Sequence, residues 1–328
     1  MKKEIIGLLN EKNDFISGEE ISNALGVSRA AIWKHIKSLK EEGYEIASFS
    51  RKGYKLIKSP DVMTQNEISK YLETSFIARE IFYFDTIAST NTKAKEMADK
   101  GAHDGTVIIS EEQSGGRGRL GRQWTSPKYK GIWMSIILRP QVDPSEISKV
   151  TQVAAAAVVK AGLQMDYAFS VKWPNDIIMN DKKVCGILTE MSGELNQINY
   201  VVLGIGVNAN LENGDFPDDL REKASSIKIE SGRPVNRQEL CANILNHFED
   251  LYHSFITNKQ GIEAINICRE KSILIGKEVS VIRGNDTFDA LVLDLNAAGE
   301  LVVRKKDGKE ERLFSGEVSI RGKKGYAI

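Results

Sequence analysis

Gln113-Ser-Gly-Gly-Arg-Gly-Arg-Leu-Gly-Arg-Gln-Trp-Thr-Ser-Pro-Lys-Tyr-Lys-Gly-Ile-Trp133 is the stretch around which the chain is organised. The whole sequence carries 45 Lys and Arg against 45 Asp and Glu, yet no acid falls between Gln113 and Val142. Arg117, Arg119, Arg122, Lys128, Lys130 and Arg139 all do. An interval so charged is expected to bind an anion. Gly115, Gly116, Gly118 and Gly121 let backbone N–H groups approach a ligand, and the arginines add forked donors suited to carboxylate and phosphate. A solvated Gly/Arg loop or a nucleic-acid-binding tract would have the same composition. The string Gly116-Arg-Gly118-Arg-Leu-Gly121 fits the dinucleotide pattern, but Pro127 and Gly131 interrupt the helix that must follow, and no acid stands about twenty positions on. A Walker A string and the kinase motifs are absent.

At 328 residues, 41% of them hydrophobic, the chain is long enough for two or three domains with ordinary cores. Polar residues interrupt the N-terminus too early for a signal peptide, and no apolar run approaches the ~20 residues of a membrane span. Cys185, Cys241 and Cys268 lack metal-ligand spacing and are expected to be reduced core thiols in a cytoplasmic protein.

Upstream of the basic stretch, Ile5, Ile6, Leu8 and Leu9 recur at helical spacing. Ser17-Gly-Glu-Glu20 is a capping box for a second helix that Gly26 ends, and Ser28 caps a third with Ile32, Ile36 and Leu39 inward. Tyr44–Ala47 and Tyr54–Ile57 form a hairpin with the basic tip Arg51-Lys-Gly53. Three helices and a hairpin make a winged helix-turn-helix. From Ser28 to Lys58 eight Lys or Arg stand against three Glu, which suits DNA phosphates, although such a domain can also bind protein. The DNA-facing set expected is Ser28, Arg29, Trp33, Lys34, Lys37, Arg51 and Lys52. Lys58-Ser-Pro60 is a linker, and Thr64-Gln-Asn-Glu67 is expected to open a helix carrying Ile68, Tyr71 and Leu72 on one side.

Ile81–Phe84 is expected to be a buried strand. Ser89-Thr90-Asn91 stands at the start of the helix after it, either as ligand contacts or as plain caps. A strand at Thr106–Ser110, the basic loop, a strand at Ile132–Leu138 and a long helix from Asp143-Pro-Ser-Glu146 follow. Val171-Lys-Trp-Pro-Asn-Asp176 leads into a hairpin, and Tyr200–Asn208 is a strand whose Gly204 and Gly206 either admit a ligand or mark a bulge. Asn236 caps an amphipathic helix and a shorter one follows Gly261. Beyond Ser272 short strands with turns suit a small all-β barrel.

Gly116-Arg-Gly-Arg-Leu-Gly-Arg-Gln-Trp124, Lys172-Trp-Pro-Asn-Asp176, Lys183 with Val184-Cys-Gly-Ile-Leu188, Gly204-Ile-Gly-Val-Asn208 and the ending Gly316-Glu-Val-Ser-Ile-Arg321 together resemble the biotin protein ligases. With the winged helix in front, the resemblance is to the bifunctional form that also represses the biotin operon. It implies an α+β chain: a winged helix-turn-helix at 1–59, a mixed α/β catalytic domain of the biotin/lipoate ligase type at 64–271, and an SH3-like β-barrel at 272–328. The activity implied is activation of biotin with ATP and Mg²⁺ as biotinyl-5'-adenylate, then transfer to a lysine of a biotin carboxyl carrier protein, such as that of acetyl-CoA carboxylase or another biotin-dependent carboxylase. The partners implied are operator DNA and, when the adenylate is bound, a second copy of the chain, with no membrane.

By the same resemblance Ser89, Thr90, Asn91, Gln113, Gly116, Arg117, Gly118, Arg119, Lys183, Gly186 and Gly204 serve biotin. Arg119, Arg122, Trp124, Asn175, Asn208 and Arg321 serve the nucleotide, and Lys183, Arg119 and Asp176 the chemistry. Asp176 is assigned either to metal or to the proton of the acceptor lysine, and metal ligands beyond it are not identified. Leu120 stands where a more basic version of the loop has a charge. A lipoate-type ligase, or a repressor that senses a small molecule without turnover, are the competing readings.

Overall fold

Apolar residues three and four apart give each N-terminal helix one face to bury, and those faces meet. Ile5, Ile6 and Leu9 of α1 (Lys2–Lys12), Ile21 of α2 (Gly18–Leu25) and Ile32, Ile36 and Leu39 of α3 (Arg29–Glu41) form one buried cluster with Ile16, Tyr44 and Ile46. In this computed structural model the residues described are 1–12, 14–41, 43–49, 52–194, 197–258, 261–315 and 318–322. The Ser17 capping box is formed in both directions, and Gly26 ends α2 in the left-handed region at φ 66°. The wing is the antiparallel pair β1 (Glu45–Phe49) and β2 (Gly53–Lys58). Ile16 and Tyr54 exchange two backbone hydrogen bonds of 2.9 Å, which adds the α1–α2 connection as a third edge. Gly53 permits this, since its φ is +100° and a Cβ there would lie 2.1 Å from the Ile16 carbonyl oxygen.

The expected helix from Thr64 is one turn only, α4 (Gln65–Ile68), and the Thr64 side chain makes no capping bond. Glu67 is buried, receives the Tyr44 hydroxyl and pairs with Lys70 at 2.5 Å. Beyond it the backbone of Glu73 and Ser75–Ile77 donates to Asn246 and Glu249, so side chains of a later helix take the place of helical hydrogen bonds. The chain divides into two compact units, Met1–Lys70 and Tyr71–Ile328.

The second unit is built on a seven-stranded sheet: β3 (Ile81–Ile87), β4 (Val107–Gln113), β5 (Ile132–Leu138), β6 (Ser170–Lys172), β7 (Asp176–Met179), β8 (Lys182–Glu194) and β9 (Gln197–Val207). The order is β3-β4-β5-β9-β8-β7-β6, parallel only between β3 and β4, which α5 (Thr90–Asp99) connects. The apolar run of β5 is buried throughout, as a central strand requires, whereas β3 is an edge strand and is only partly buried, contrary to expectation. Asn180 and Asp181 both take positive φ, 46° and 64°, giving the tight turn that joins β7 to β8.

Asp143 caps a short 3-10 turn at Pro144–Ile147 before α6 (Ser148–Gln164), so the long helix starts one turn later than its proline suggests. The alanines of α6 are fully buried. After α7 (Ile227–Ser231), α8 (Arg237–Asn258) buries Leu240, Ile244, Phe248, Leu251 and Phe255, and α9 (Ile262–Glu270) follows Gly261. The carboxy-terminal strands β10 (Glu278–Arg283), β11 (Asp286–Leu295), β12 (Leu301–Lys305), β13 (Glu310–Leu313) and β14 (Ser319–Gly322) form an antiparallel sheet ordered β13-β12-β11-β10-β14. All three cysteines are free and buried, with Cys241 and Cys268 pushed up to about 12 by burial. Among the described residues no helix is long and apolar enough to cross a membrane.

Candidate active site and nucleic-acid face

The basic stretch is a twisted hairpin and not the start of a helix. Gln113 N–H donates to Ser126 O at 3.2 Å, Trp124 N–H to Gly116 O at 2.9 Å and Gly118 N–H to Arg122 O at 2.7 Å. A 3-10 turn, Arg119–Gly121, makes the tip, with Leu120 at φ 58° and 69% exposed. The missing helix removes any dinucleotide-binding reading. The hairpin covers a cavity of about 350 Å³ whose floor is the sheet around Gly186, Gly204 and Gly206.

One end of the cavity is neutral and polar. Thr90 N–H donates to Gln113 Oε1 at 2.8 Å, and Gln113 Nε2 to Ser126 Oγ at 2.9 Å. Ser135 Oγ lies 2.8 Å from Thr90 Oγ1 and 2.6 Å from Asn91 Oδ1, while Asn91 Nδ2 donates to Glu190 at 2.8 Å. Ser89 also caps α5 through Thr92 N–H at 3.4 Å, so capping and cavity lining are combined in one residue. Ser135 and Glu190 carried no sequence expectation. A lone serine in the apolar run Ile132–Leu138 was the available signal for the first.

The floor explains the glycines. The β8–β9 register runs unbroken through Gly186 opposite Gly206 and Leu188 opposite Gly204, and the irregularity lies at Ser192/Gly193, so Gly204-Ile-Gly206 is not a bulge. A Cβ on Gly204 would sit 2.2 Å from Asn91 Oδ1, and one on Gly206 2.8 Å from Trp124 Nε1. Trp124 therefore lies flat on the sheet, with Lys183 Nζ 5.0 Å from its ring centroid. Among the described residues its buried indole nitrogen has no hydrogen-bond partner.

The other end is cationic. Arg117, Arg119, Arg122, Lys172, Lys183 and Arg321 line it, and Asp176 is the one carboxylate among the described lining residues. Lys183 Nζ stands 2.5 Å from Asp176 Oδ1. Arg119 donates to Asn175 Oδ1 at 3.2 Å and to the carbonyls of Ser315 and Val318, and burial pulls its pKa down, with Asp176 opposing. Asn175 Nδ2 donates in turn to Ile187 O at 2.9 Å. Lys172 stands out in sequence only as part of a motif, yet it is 3% exposed and burial lowers its pKa to about 8.

Some expected residues stand elsewhere. Gly116 does not line the cavity; it packs under the hairpin, where a Cβ would lie 2.5 Å from Trp124 O. Asn208 is buried outside it, its amide donating to Ser225 O at 3.0 Å. Lys128 and Lys130 pair with Asp85 and Asp215, and Arg139 donates to the carbonyls of Ala98, Ala102 and Asn199. Acids thus reach the acid-free interval through space, and of its cations Arg117, Arg119 and Arg122 line the cavity while Lys128, Lys130 and Arg139 do not. Of the residues the resemblance assigns to biotin or nucleotide, Ser89, Thr90, Asn91, Gln113, Gly118, Trp124, Asn175, Gly186, Gly204 and Arg321 line the cavity.

In the first unit Ser28, Arg29, Trp33, Lys34 and Lys37 are all exposed, and Ala31 N–H donates to Ser28 Oγ at 3.3 Å. Trp33 is 59% exposed with Lys37 Nζ 5.9 Å from its ring. Lys52 is exposed on the wing, while Arg51 lies outside the described residues, as do Gly316 and Glu317.

Residues 83–208 match the biotin/lipoate A/B protein ligase family, 2–55 an HTH domain, and 274–321 the biotin protein ligase C terminal domain. The bifunctional ligase/repressor BirA of Bacillus subtilis (strain 168) is 38% identical over 98% of this chain and 98% of its own length. That of Escherichia coli (strain K12) is 28% identical over 97% and 96%. Among solved structures, a biotin protein ligase from Aquifex aeolicus in complex with biotin and ATP superposes with a TM-score of 0.65 at 25% identity, covering 74% of this chain and 99% of that one.

Proposed function

This chain belongs to the biotin protein ligases of the bifunctional ligase/repressor type, and on that premise we propose that its cavity makes biotinyl-5'-adenylate, which serves both as the activated biotin passed to a carrier protein and as the signal for repression. The observation that carries this reading is the polarity of one cavity. Neutral donors and acceptors at Ser89, Thr90, Asn91 and Gln113 lie at one end, with Ser135 behind them, and Arg117, Arg119, Arg122, Lys172, Lys183 and Arg321 at the other. A ureido ring has both donors and an acceptor to satisfy, and a buried polar group left unmatched is costly. A dithiolane or an alkyl chain has neither, which favours biotin over lipoate.

In the first step a biotin carboxylate oxygen attacks the α-phosphorus of ATP and the bond to pyrophosphate breaks. Two anions must meet, and charge builds on the departing pyrophosphate, so fixed cations aimed at those oxygens lower the barrier. Lys183 serves the carboxylate and α-phosphate, Arg117, Arg119 and Arg122 close over the product, and Arg321 and Asn175 face the nucleotide. Trp124, flat on the glycine floor, offers a face for adenine. In the second step the amine of a carrier lysine attacks the biotinyl carbonyl, AMP leaves, and Asp176 is the carboxylate at hand for the amine's proton.

Mg²⁺ binds through one or two carboxylates plus substrate phosphates, and Asp176 lines the cationic end of the cavity where the phosphates would lie. Asp176 would hold it, and it would neutralise phosphate charge. The acceptor is a biotin carboxyl carrier protein. The DNA half uses Ser28, Arg29, Trp33, Lys34, Lys37, Arg51 and Lys52 on operator sequence in a homodimer that the adenylate favours. Two recognition helices on one face of a duplex require half-sites about one helical turn apart, ~34–36 Å, or a multiple. Buried reduced thiols suit a cytoplasmic setting.

The test is pyrophosphate release with Mg-ATP and either biotin, lipoate or octanoate. Release only with biotin is expected; release with lipoate or octanoate and none with biotin overturns the substrate assignment.

A further inference from the structure

The tryptophan of Lys172-Trp-Pro-Asn-Asp176 directs its polar atom away from the reacting groups. Trp173 Nε1 donates to the carbonyl of Gly299 at 3.1 Å, and Gln152 Nε2, from α6, donates to the same oxygen at 3.1 Å. Both side chains are buried, at 3% and 2% exposure. Gly299 lies in the turn between β11 and β12, at φ +76°, and a Cβ there would stand 2.6 Å from Gln152 Oε1. One carbonyl thus uses both its acceptor sites on donors from the catalytic sheet's side. From that turn the ladder runs β11 to β10 to β14, with Ser280 opposite Arg321 and Val281 opposite Ile320. Ser319, Ile320 and Arg321 line the cavity, as does the ring of Trp173, whereas Gln152 does not.

We propose that Trp173 and Gln152 are positioning residues that latch the Gly299 turn and, through β10 and β14, hold Arg321 at the nucleotide end of the cavity. This rests on Arg321 facing the nucleotide. Two donors from separate elements on one carbonyl fix the seat of the turn. Without them the carboxy-terminal sheet keeps its own ladder and the Arg119 bonds to Ser315 and Val318, but loses the second anchor that fixes the seat of Arg321. Gln152 lies outside the cavity and Trp173→Phe keeps the ring that lines it, so losing either hydrogen bond is expected to fall on ATP and to spare biotin and transfer.

The experiment uses the full chain with Trp173→Phe, which keeps the ring, and Gln152→Met, which keeps the length, alone and combined with Arg321→Ala, after thermal melting shows each folded. Measured are KM for ATP, KM for biotin, and the rate of transfer from preformed adenylate. Loss of one neutral hydrogen bond is expected to raise KM for ATP by roughly 2- to 12-fold. KM for biotin and the transfer rate stay within twofold, and neither substitution adds to the effect of Arg321→Ala. Parallel rises in both KM values, or effects that multiply in the Arg321→Ala background, overturn the latch and leave the nucleotide assignment standing. An unchanged KM for ATP in Arg321→Ala itself removes Arg321 from the nucleotide end and takes the latch with it.

Discussion

Replacing Lys183 with alanine is expected to slow adenylate formation while leaving the chain folded. Its ammonium stands 2.5 Å from Asp176 and 5.0 Å from the centroid of Trp124, with 18% of the side chain exposed. The cation is thus held in place before substrates arrive and needs little reorganisation to meet charge developing between the biotin carboxylate and the α-phosphate. A charge-assisted hydrogen bond is worth ~1.5–3 kcal/mol, and ~1.4 kcal/mol is tenfold in rate, so a contact made mainly in the transition state corresponds to a fall of roughly 10- to 150-fold. The substitution also removes the ammonium 2.5 Å from the carboxylate of Asp176, leaving Arg119 and Lys172 to offset that charge beside the incoming anions. Like charges ~5 Å apart at an effective dielectric of ~20 repel by about 3 kcal/mol, which pushes the loss toward the upper end. Rapid-quench single turnover of labelled ATP with saturating biotin measures the step itself, and a thermal melt checks the fold. A rate within twofold of the unsubstituted protein removes Lys183 from the chemistry.

The cationic form of Lys172 exists below its pKa, which burial lowers to about 8, and is lost above it. Adenylation should therefore decline as pH rises through about 8, and Lys172→Arg, which stays charged, should move that limb upward; a limb unmoved by the substitution assigns it to another group. Arg119→Gly severs the hydrogen bonds to Asn175, Ser315 and Val318 and opens the hairpin over a reactive anhydride. Release of free adenylate, followed by filter retention, should quicken by at least ~10-fold, the low end for one charged hydrogen bond, and an equal or slower off-rate contradicts this. Lys37→Ala should reduce the slope of log affinity against log salt for operator DNA by ~0.9 if that lysine neutralises one phosphate. An unchanged slope places Lys37 off the DNA.

Elements whose local chemistry is strong are legible in the order of residues alone. The Ser17 capping box, the glycine stops, the buried run of β5 and the apolar stripe of α8 each combine a start or stop signal with one period. The helix expected from Thr64 stops after one turn because its capping pattern is local, while Glu67 is taken by Tyr44 and Lys70 and the backbone after it by Asn246 and Glu249. Periodicity does not register partners over 170 positions away. The cavity is legible as a set of motifs, though not as a map of charge. Lys128, Lys130 and Arg139 look like ligands because no acid is near them in sequence, and Asp85, Asp215 and main-chain carbonyls reach them in space. Asn208 and Gly116 belong to cavity motifs and serve the frame around it. Ser135, Glu190 and the depressed pKa of Lys172 depend on burial and on which strands are neighbours, and neither is written in spacing.

The most direct measurement is the mass of the native protein after incubation with biotin and Mg-ATP, removal of free ligand, and then addition of an apo biotin carboxyl carrier protein. The expected result is one biotinyl-adenylate retained per chain, absent when either substrate is omitted, and its disappearance on adding the acceptor as AMP is released and one lysine of the acceptor gains the biotinyl group. A chain that emerges with no adenylate, or with an adenylate that the acceptor leaves in place, contradicts the proposed ligase.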